Sequence, residues 1–257
     1  MRAPSRNEHQ GRLVVLSAHP DDAVWSLGSG MVSLAQGREV LLLTLFDGEA
    51  EASCALAVGD ARWRRIASAR LRRQEDARAA GCLGIKRAGA GFIDAALRLD
   101  GNGRFVHADA PALFLGSEVD PMLWPRPDQN QLATVRAMLG PSDIVCAPLG
   151  IGGHVDHCLT HRLARQLDNP LYFYADFPYA QQLDEQAISN LGERLGLQLV
   201  SQTFECSWDS WREAALMYRS QVMMLFASQG RFLDALTAHA RVRHPNACCR
   251  IWSTRSM

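Results

Sequence analysis

Two apolar runs, Leu13–Ala18 and Val40–Phe46, most constrain what this chain can fold into. A strand with one wet face alternates apolar and polar residues, whereas a run that is apolar at nearly every position fits a strand covered on both faces of a parallel sheet. Between the runs, Val24–Gln36 reads as a helix, which completes a βαβ unit. The alternation continues with an arginine-rich helix at 62–80, a short strand at 90–93, a helix at 129–139 and a strand at 143–148. A helix at 155–167 and a strand at 171–175 follow. Beyond them the pattern predicts a helix at 186–195, a strand at 197–204 and helices at 211–226 and 231–240. The fold class is therefore α/β, a mostly parallel sheet flanked by helices.

At 257 residues the chain can bury a sizeable core, and one domain over 1–257 is expected, with irregular insertions near 47–60 and 101–128. The 27 basic and 27 acidic residues cancel, which gives no electrostatic support for binding nucleic acid or an anionic membrane. Without a long apolar run, no membrane span is expected, and the polar Met1–Gln10 points to the cytoplasm. Seven cysteines without a CxxC pair argue against a zinc ribbon or a disulfide framework. Composition leaves the oligomeric state open.

Strand one ends in Ser17-Ala18-His19-Pro20-Asp21-Asp22, which places a histidine and two carboxylates on the first βα turn, where open α/β sheets collect ligands. A second cluster, Gly152-Gly153-His154-Val155-Asp156-His157, follows the strand ending at Pro148 and emerges at the same edge. The two clusters can meet across a crevice. Imidazole nitrogen with carboxylate oxygen suits zinc or another divalent ion, and a catalytic site wants three protein ligands and one open position. His19, Asp22 and His157 supply that set. Asp21 and His154 then stand beside it as a carboxylate and an imidazole, the pairing that metal-assisted hydrolysis needs. His157 with His161 is an alternative ligand pair, but Cys158 stands where the HExxH pattern requires glutamate, so His161 reads better as structural. Gly28-Ser29-Gly30 lies too far past the strand for a dinucleotide fingerprint and reads as helix packing.

These motifs carry a resemblance. The strand followed by AHPDD, the later His154-Val155-Asp156-His157, and an intervening R-x-x-E-x-x-x-A-x-x-x-L-G stretch from Arg72 and Glu75 to Gly84 resemble the LmbE/PIG-L family of zinc-dependent N-deacetylases. The resemblance runs from Leu13 to Ala175, and Tyr218-Arg219-Ser220-Gln221 is similar to a Y-x-S-Q feature near the family's C-terminal region. It implies a Rossmann-like, LmbE-like fold with Zn2+, or another divalent metal, on His19, Asp22 and His157. Asp21 would be the general base, His154 the group that stabilises the oxyanion and helps the amine leave, and Asp156 the residue that orients His154. Glu49, Arg72 and Asp94 resemble positions near the sugar.

The implied reaction removes an N-acetyl or other N-acyl group from an amino sugar in a small-molecule glycoconjugate, for instance in tailoring a secondary metabolite. Sugar-thiol cofactor metabolism is an alternative. Two positions depart from the family pattern: Ala23 replaces the usual Glu, and Phe46 a common Thr. Ala23 motivates a further alternative, a metal- and sugar-binding protein without turnover, against which the intact Asp21 and His154 speak. A metal-dependent hydrolase of another bond, such as a phosphoester, is a third reading, disfavoured because the sequence offers no second carboxylate-rich metal site. Phe114, Leu115, Met122, Leu123 and Trp124 in the second insertion fit either satellite core or a lid over an apolar aglycone.

Overall fold

The computed structural model describes residues 11–50, 68–116 and 119–254. The expected helix start at 62–67 and positions 51–60 of the first insertion lie outside the described residues. Seven strands form one sheet: β1 (Leu13–Ser17), β2 (Val40–Thr44), β3 (Lys86–Gly89), β4 (Ile144–Pro148), β5 (Leu171–Tyr174), β6 (Leu199–Ser207) and β7 (Asn246–Thr254). Their order is β3-β2-β1-β4-β5-β7-β6. Strands β1 to β5 pair in parallel, and β7 and β6 add an antiparallel edge.

The apolar runs behave as their composition requires. On β1, Leu13 and Val15 face one layer while Val14 and Leu16 face the other, and Leu42 and Leu41 divide in the same way on β2. The first layer packs helices α1 (Asp22–Leu27), α2 (Gly30–Ala35), α3 (Ala69–Leu83), α7 (Trp208–Ala215), α8 (Arg219–Phe226) and α9 (Gln229–His239). The second packs α4 (Gln129–Met138), α5 (Val155–Ala164) and α6 (Glu185–Arg194). Among the described residues, no helix is long and apolar enough to cross a membrane.

Four elements depart from the pattern reading. The helix at 24–36 is two, broken at Gly28, whose φ of 49° is left-handed and whose Cα is packed against the Trp211 ring. Gly30 likewise packs against the Cys249 side chain, so this pair of glycines serves close packing. The helix at 211–226 is also two, separated around Tyr218. The third strand is the polar Lys86–Gly89 at the sheet edge, where one open side tolerates charge. The expected 90–93 segment instead runs on beside the end of β2, with Ala90 and Phe92 N–H groups donating to the Thr44 and Leu45 carbonyls. Finally, β7 is a strand the pattern reading omits, although Ala247, Cys249 and Ile251 alternate inward along it.

Candidate metal centre

Strands β1 and β4 are neighbours, so the loops after Ser17 and Pro148 leave the sheet side by side at its carboxyl edge. His19, Asp21, Asp22, His154 and His157 consequently line one cavity of about 360 Å³ together with Arg72 and Asp94. Its remaining wall is largely apolar, with Trp25, Leu113, Phe114 and Leu225 among the lining residues.

Asp22 opens α1, and its Oδ2 accepts the His19 backbone N–H at 2.7 Å, which folds the turn back on itself. The same oxygen lies 3.2 Å from His19 Nδ1 and 3.2 Å from His157 Nε2. Two donors about 2.0–2.1 Å from one tetrahedral ion are about 3.3 Å apart, so each of these two separations from Asp22 matches a pair of ligands on one centre. Among the described residues, two donor groups close within 4.8 Å: His19 with His154 and His157, and His19 with Asp94 and Asp156. Their lone pairs are already committed. His154 Nδ1 accepts the Asp156 N–H at 3.2 Å, which leaves its neutral ring with the proton on Nε2. Asp156 accepts from Ala95 N–H and from the Arg98 guanidinium, and Asp94 accepts from Arg72 Nη1 at 2.9 Å. These commitments leave His19, Asp22 and His157 as a candidate donor set for a divalent ion.

Electrostatics agree with a cation-seeking site. Burial opposes charge on His19, but Asp94, Asp156 and Asp22 outweigh it and raise its pKa to about 9. Burial likewise opposes charge on His157, yet Asp22 and Asp176 hold its pKa well above the usual value. Asp22 is held well below the carboxylate range, because the two histidines overcome its burial. Asp21 goes the other way: burial and then Asp22 raise it, against the pull of Arg72 and His19. Its φ of 119° is a left-handed value that non-glycine residues rarely adopt, and such strain gathers at functional positions. His154 is kept neutral, its pKa pushed down to about 3 by burial and by the neighbouring His19 and His157.

Asp156 requires a correction. Its carboxylate does not orient His154; Oδ2 lies 2.9 Å from His19 Nε2, and only the Asp156 backbone N–H reaches His154. The reason is helical geometry: His154 caps α5, so its ring folds onto the first turn's backbone, while the Asp156 side chain reaches across to the first βα turn. Glu49 is also displaced from its expected place. It is largely exposed, pairs with Arg73 at 2.6 Å, and does not line the cavity. Trp124 packs edge-on against His161 and takes no part in this cavity, whereas Phe114 does. Ala23 is buried in the apolar layer, and none of the contacts described here passes through its side chain.

Asp176 and Tyr179 were not singled out by sequence reasoning. Asp176, just past β5, is wholly buried; its Oδ1 lies 2.6 Å from His157 Nδ1, and its Oδ2 accepts the Gly150 and Ile151 N–H groups. The signal available was its position, a lone Asp directly after a buried strand. Tyr179 and Gln221 also line the cavity. Gln221 is placed by Glu75, which accepts from Ser220 N–H at 2.9 Å and from Ser220 Oγ at 2.6 Å, so the Arg72/Glu75 motif and the Tyr218–Gln221 motif meet in space.

Comparison with known proteins is consistent with this geometry. The family model described as PIG-L, GlcNAc-PI de-N-acetylase, matches residues 14–167. A 2'-N-acetylparomamine deacetylase of Streptomyces fradiae is 32% identical over 184 residues, 68% of this chain and 60% of that protein's length. A teicoplanin-pathway deacetylase crystal structure superposes with a TM-score of 0.67 at 25% identity, covering 94% of this chain and 96% of the other. A zinc-inhibited form of teicoplanin deacetylase, at 23% identity and a TM-score of 0.68 over 94% of this chain and 97% of the other, shares the fold.

Proposed function

The chain belongs to the PIG-L family, and on that premise we propose that it is a single-domain, metal-dependent deacetylase that hydrolyses the N-acetyl amide of an amino sugar in a glycoconjugate. The observation that carries the reading is the Asp22 oxygen 3.2 Å from both His19 Nδ1 and His157 Nε2, with Asp21 and His154 in the same cavity wall. His19, Asp22 and His157 would hold the ion, Zn2+ or another divalent metal. When bound there, such an ion supplies Lewis acidity to an amide carbonyl and to water.

The chain's own groups do the rest. Asp21, with its raised carboxyl pKa, takes the proton of the attacking water and passes it to the departing amine. His154, neutral with its proton on Nε2, donates to the carbonyl oxygen as charge collects on it. The C–O bond forms first; as the carbonyl re-forms, the C–N bond breaks and the nitrogen takes the proton held by Asp21, giving acetate and a free amino sugar. Asp156 and Asp176 are positioning residues, which turn His19 and His157. Arg72, anchored on Asp94, faces sugar hydroxyls.

The named relatives support a place in tailoring a secondary metabolite, and such a role fits an enzyme of the cytoplasm with no nucleic-acid partner. Release of acetate from a panel of N-acetylglucosamine conjugates, including pseudodisaccharide and glycopeptide acceptors, by the metal-loaded chain tests the proposal. Release from at least one acceptor supports it; no release from any, with the ion demonstrably bound, overturns it.

A further inference from the structure

The first turn of α5 serves the metal centre, and its last turn borders a second cavity of about 390 Å³ that shares no lining residue with the first. Arg126, Arg162, Arg165 and Arg194 line it, with no Asp or Glu among its walls in the described residues. In a chain whose charges cancel, this is a local surplus of cations. Among the described residues, Arg126, Arg162 and Arg165 make no ion pair. Burial and then the charges of Arg126 and Arg165 lower the pKa of Arg162, as crowding of cations requires.

Backbone carbonyls brace the guanidinium groups. Arg162 Nη1 donates to the Pro121, Met122 and Trp124 carbonyls at 3.2, 3.0 and 2.9 Å, and Arg165 Nη1 to the Leu195 carbonyl at 2.7 Å. Only one nitrogen of each is engaged in this way, so the other N–H donors of these two forks remain available. The Trp124 ring forms an apolar wall against His161, a buried residue whose Nδ1 is bonded to the Pro148 carbonyl and whose Nε2 has no partner.

We infer that this cavity binds a phosphate-bearing ligand. A carboxylate occupies one guanidinium fork, whereas a phosphate dianion offers three oxygens to several forks at once and neutralises more of the crowded charge. The volume admits a phosphate with a modest organic part against Trp124. Free phosphate and a phosphorylated metabolite share this chemistry.

The test is calorimetric titration of the metal-loaded full chain with inorganic phosphate and with uridine diphosphate at fixed ionic strength, with tryptophan fluorescence in parallel. Saturable one-to-one binding is expected, weakened about tenfold or more by the paired Arg126→Gln and Arg165→Gln substitutions, which remove charge-assisted hydrogen bonds to the anion. Arg126→Gln alone, a change at an exposed side chain, should weaken it about threefold or more. A fluorescence change lost in Trp124→Phe places the ligand at this wall. Tighter binding of the diphosphate identifies a phosphorylated metabolite, and equal binding identifies free phosphate. Absence of saturable binding overturns the inference, as does equal affinity in the double variant, which would assign the anion to the metal centre.

Discussion

The Asp176 carboxylate lies 2.6 Å from His157 Nδ1, so the ring's other nitrogen, Nε2, is turned to Asp22 at 3.2 Å. A carboxylate behind a ligating imidazole fixes its tautomer and orientation and strengthens it as a donor. Asp176 is itself locked by the Gly150 and Ile151 N–H groups.

Asp176→Asn keeps the shape but removes the negative charge behind His157. Metal affinity, measured by competition with a chromophoric chelator, should fall by about 10–100-fold. An unchanged affinity would remove Asp176 from the account.

Metal uptake must displace protons. His19 holds one up to a pKa of about 9, and His157 is also raised, whereas a ligating imidazole must be neutral. The association constant should therefore rise about tenfold per pH unit per displaced proton between about pH 6.5 and 9. The same raised pKa values stabilise the metal-free fold. That contribution is complete below the unfolded value of about 6.5 and, for His19, is lost as pH rises through about 9. Titration of the metal-free chain in buffers of different ionisation enthalpy counts the protons; zero released at pH 7 contradicts the ligand assignment.

Arg72 and Glu49 separate in the structure although both resemble sugar-site positions in sequence. Arg72 lines the cavity and bonds Asp94 at 2.9 Å, while among the described residues Glu49 pairs with Arg73 at the surface. Arg72→Gln should lower kcat/KM on the order of 10²-fold through misplaced substrate. Glu49→Gln should stay within about twofold, as expected for an exposed pair.

Much of this was legible in the sequence because the strongest signals are local. Leu13–Ala18 and Val40–Phe46 are apolar but for Ser17 and Thr44, and the motif residues sit directly after strands, so the parallel sheet and the shared edge follow together. The break at Gly28 was not, because a 3.6-residue pattern continues through it and only the distant Trp211 ring explains it. Asp156 was misassigned for a related reason: spacing along α5 says which residues are close in sequence, not that the carboxylate spans to His19. Strand β3 was displaced because an edge strand needs little hydrophobicity, and β7 was missed because its inward residues include the small Ala247 and Cys249.

Gly28 gives the clearest stability prediction. A methyl there would lie 1.9 Å from the Trp211 ring, on a backbone at φ 49°. Gly28→Ala should destabilise by about 2–4 kcal/mol, the sum of overpacking and a left-handed alanine. The urea midpoint should fall accordingly at unchanged m-value.

The most direct test is one comparison on a single acceptor: metal content and acetate release of the wild-type chain and of Asp21→Asn, both loaded with the same ion. Asp21 is not among the three proposed ligands, so the account predicts equal metal content and a loss of turnover of at least about 10²-fold. Unaltered turnover with the ion bound would contradict it.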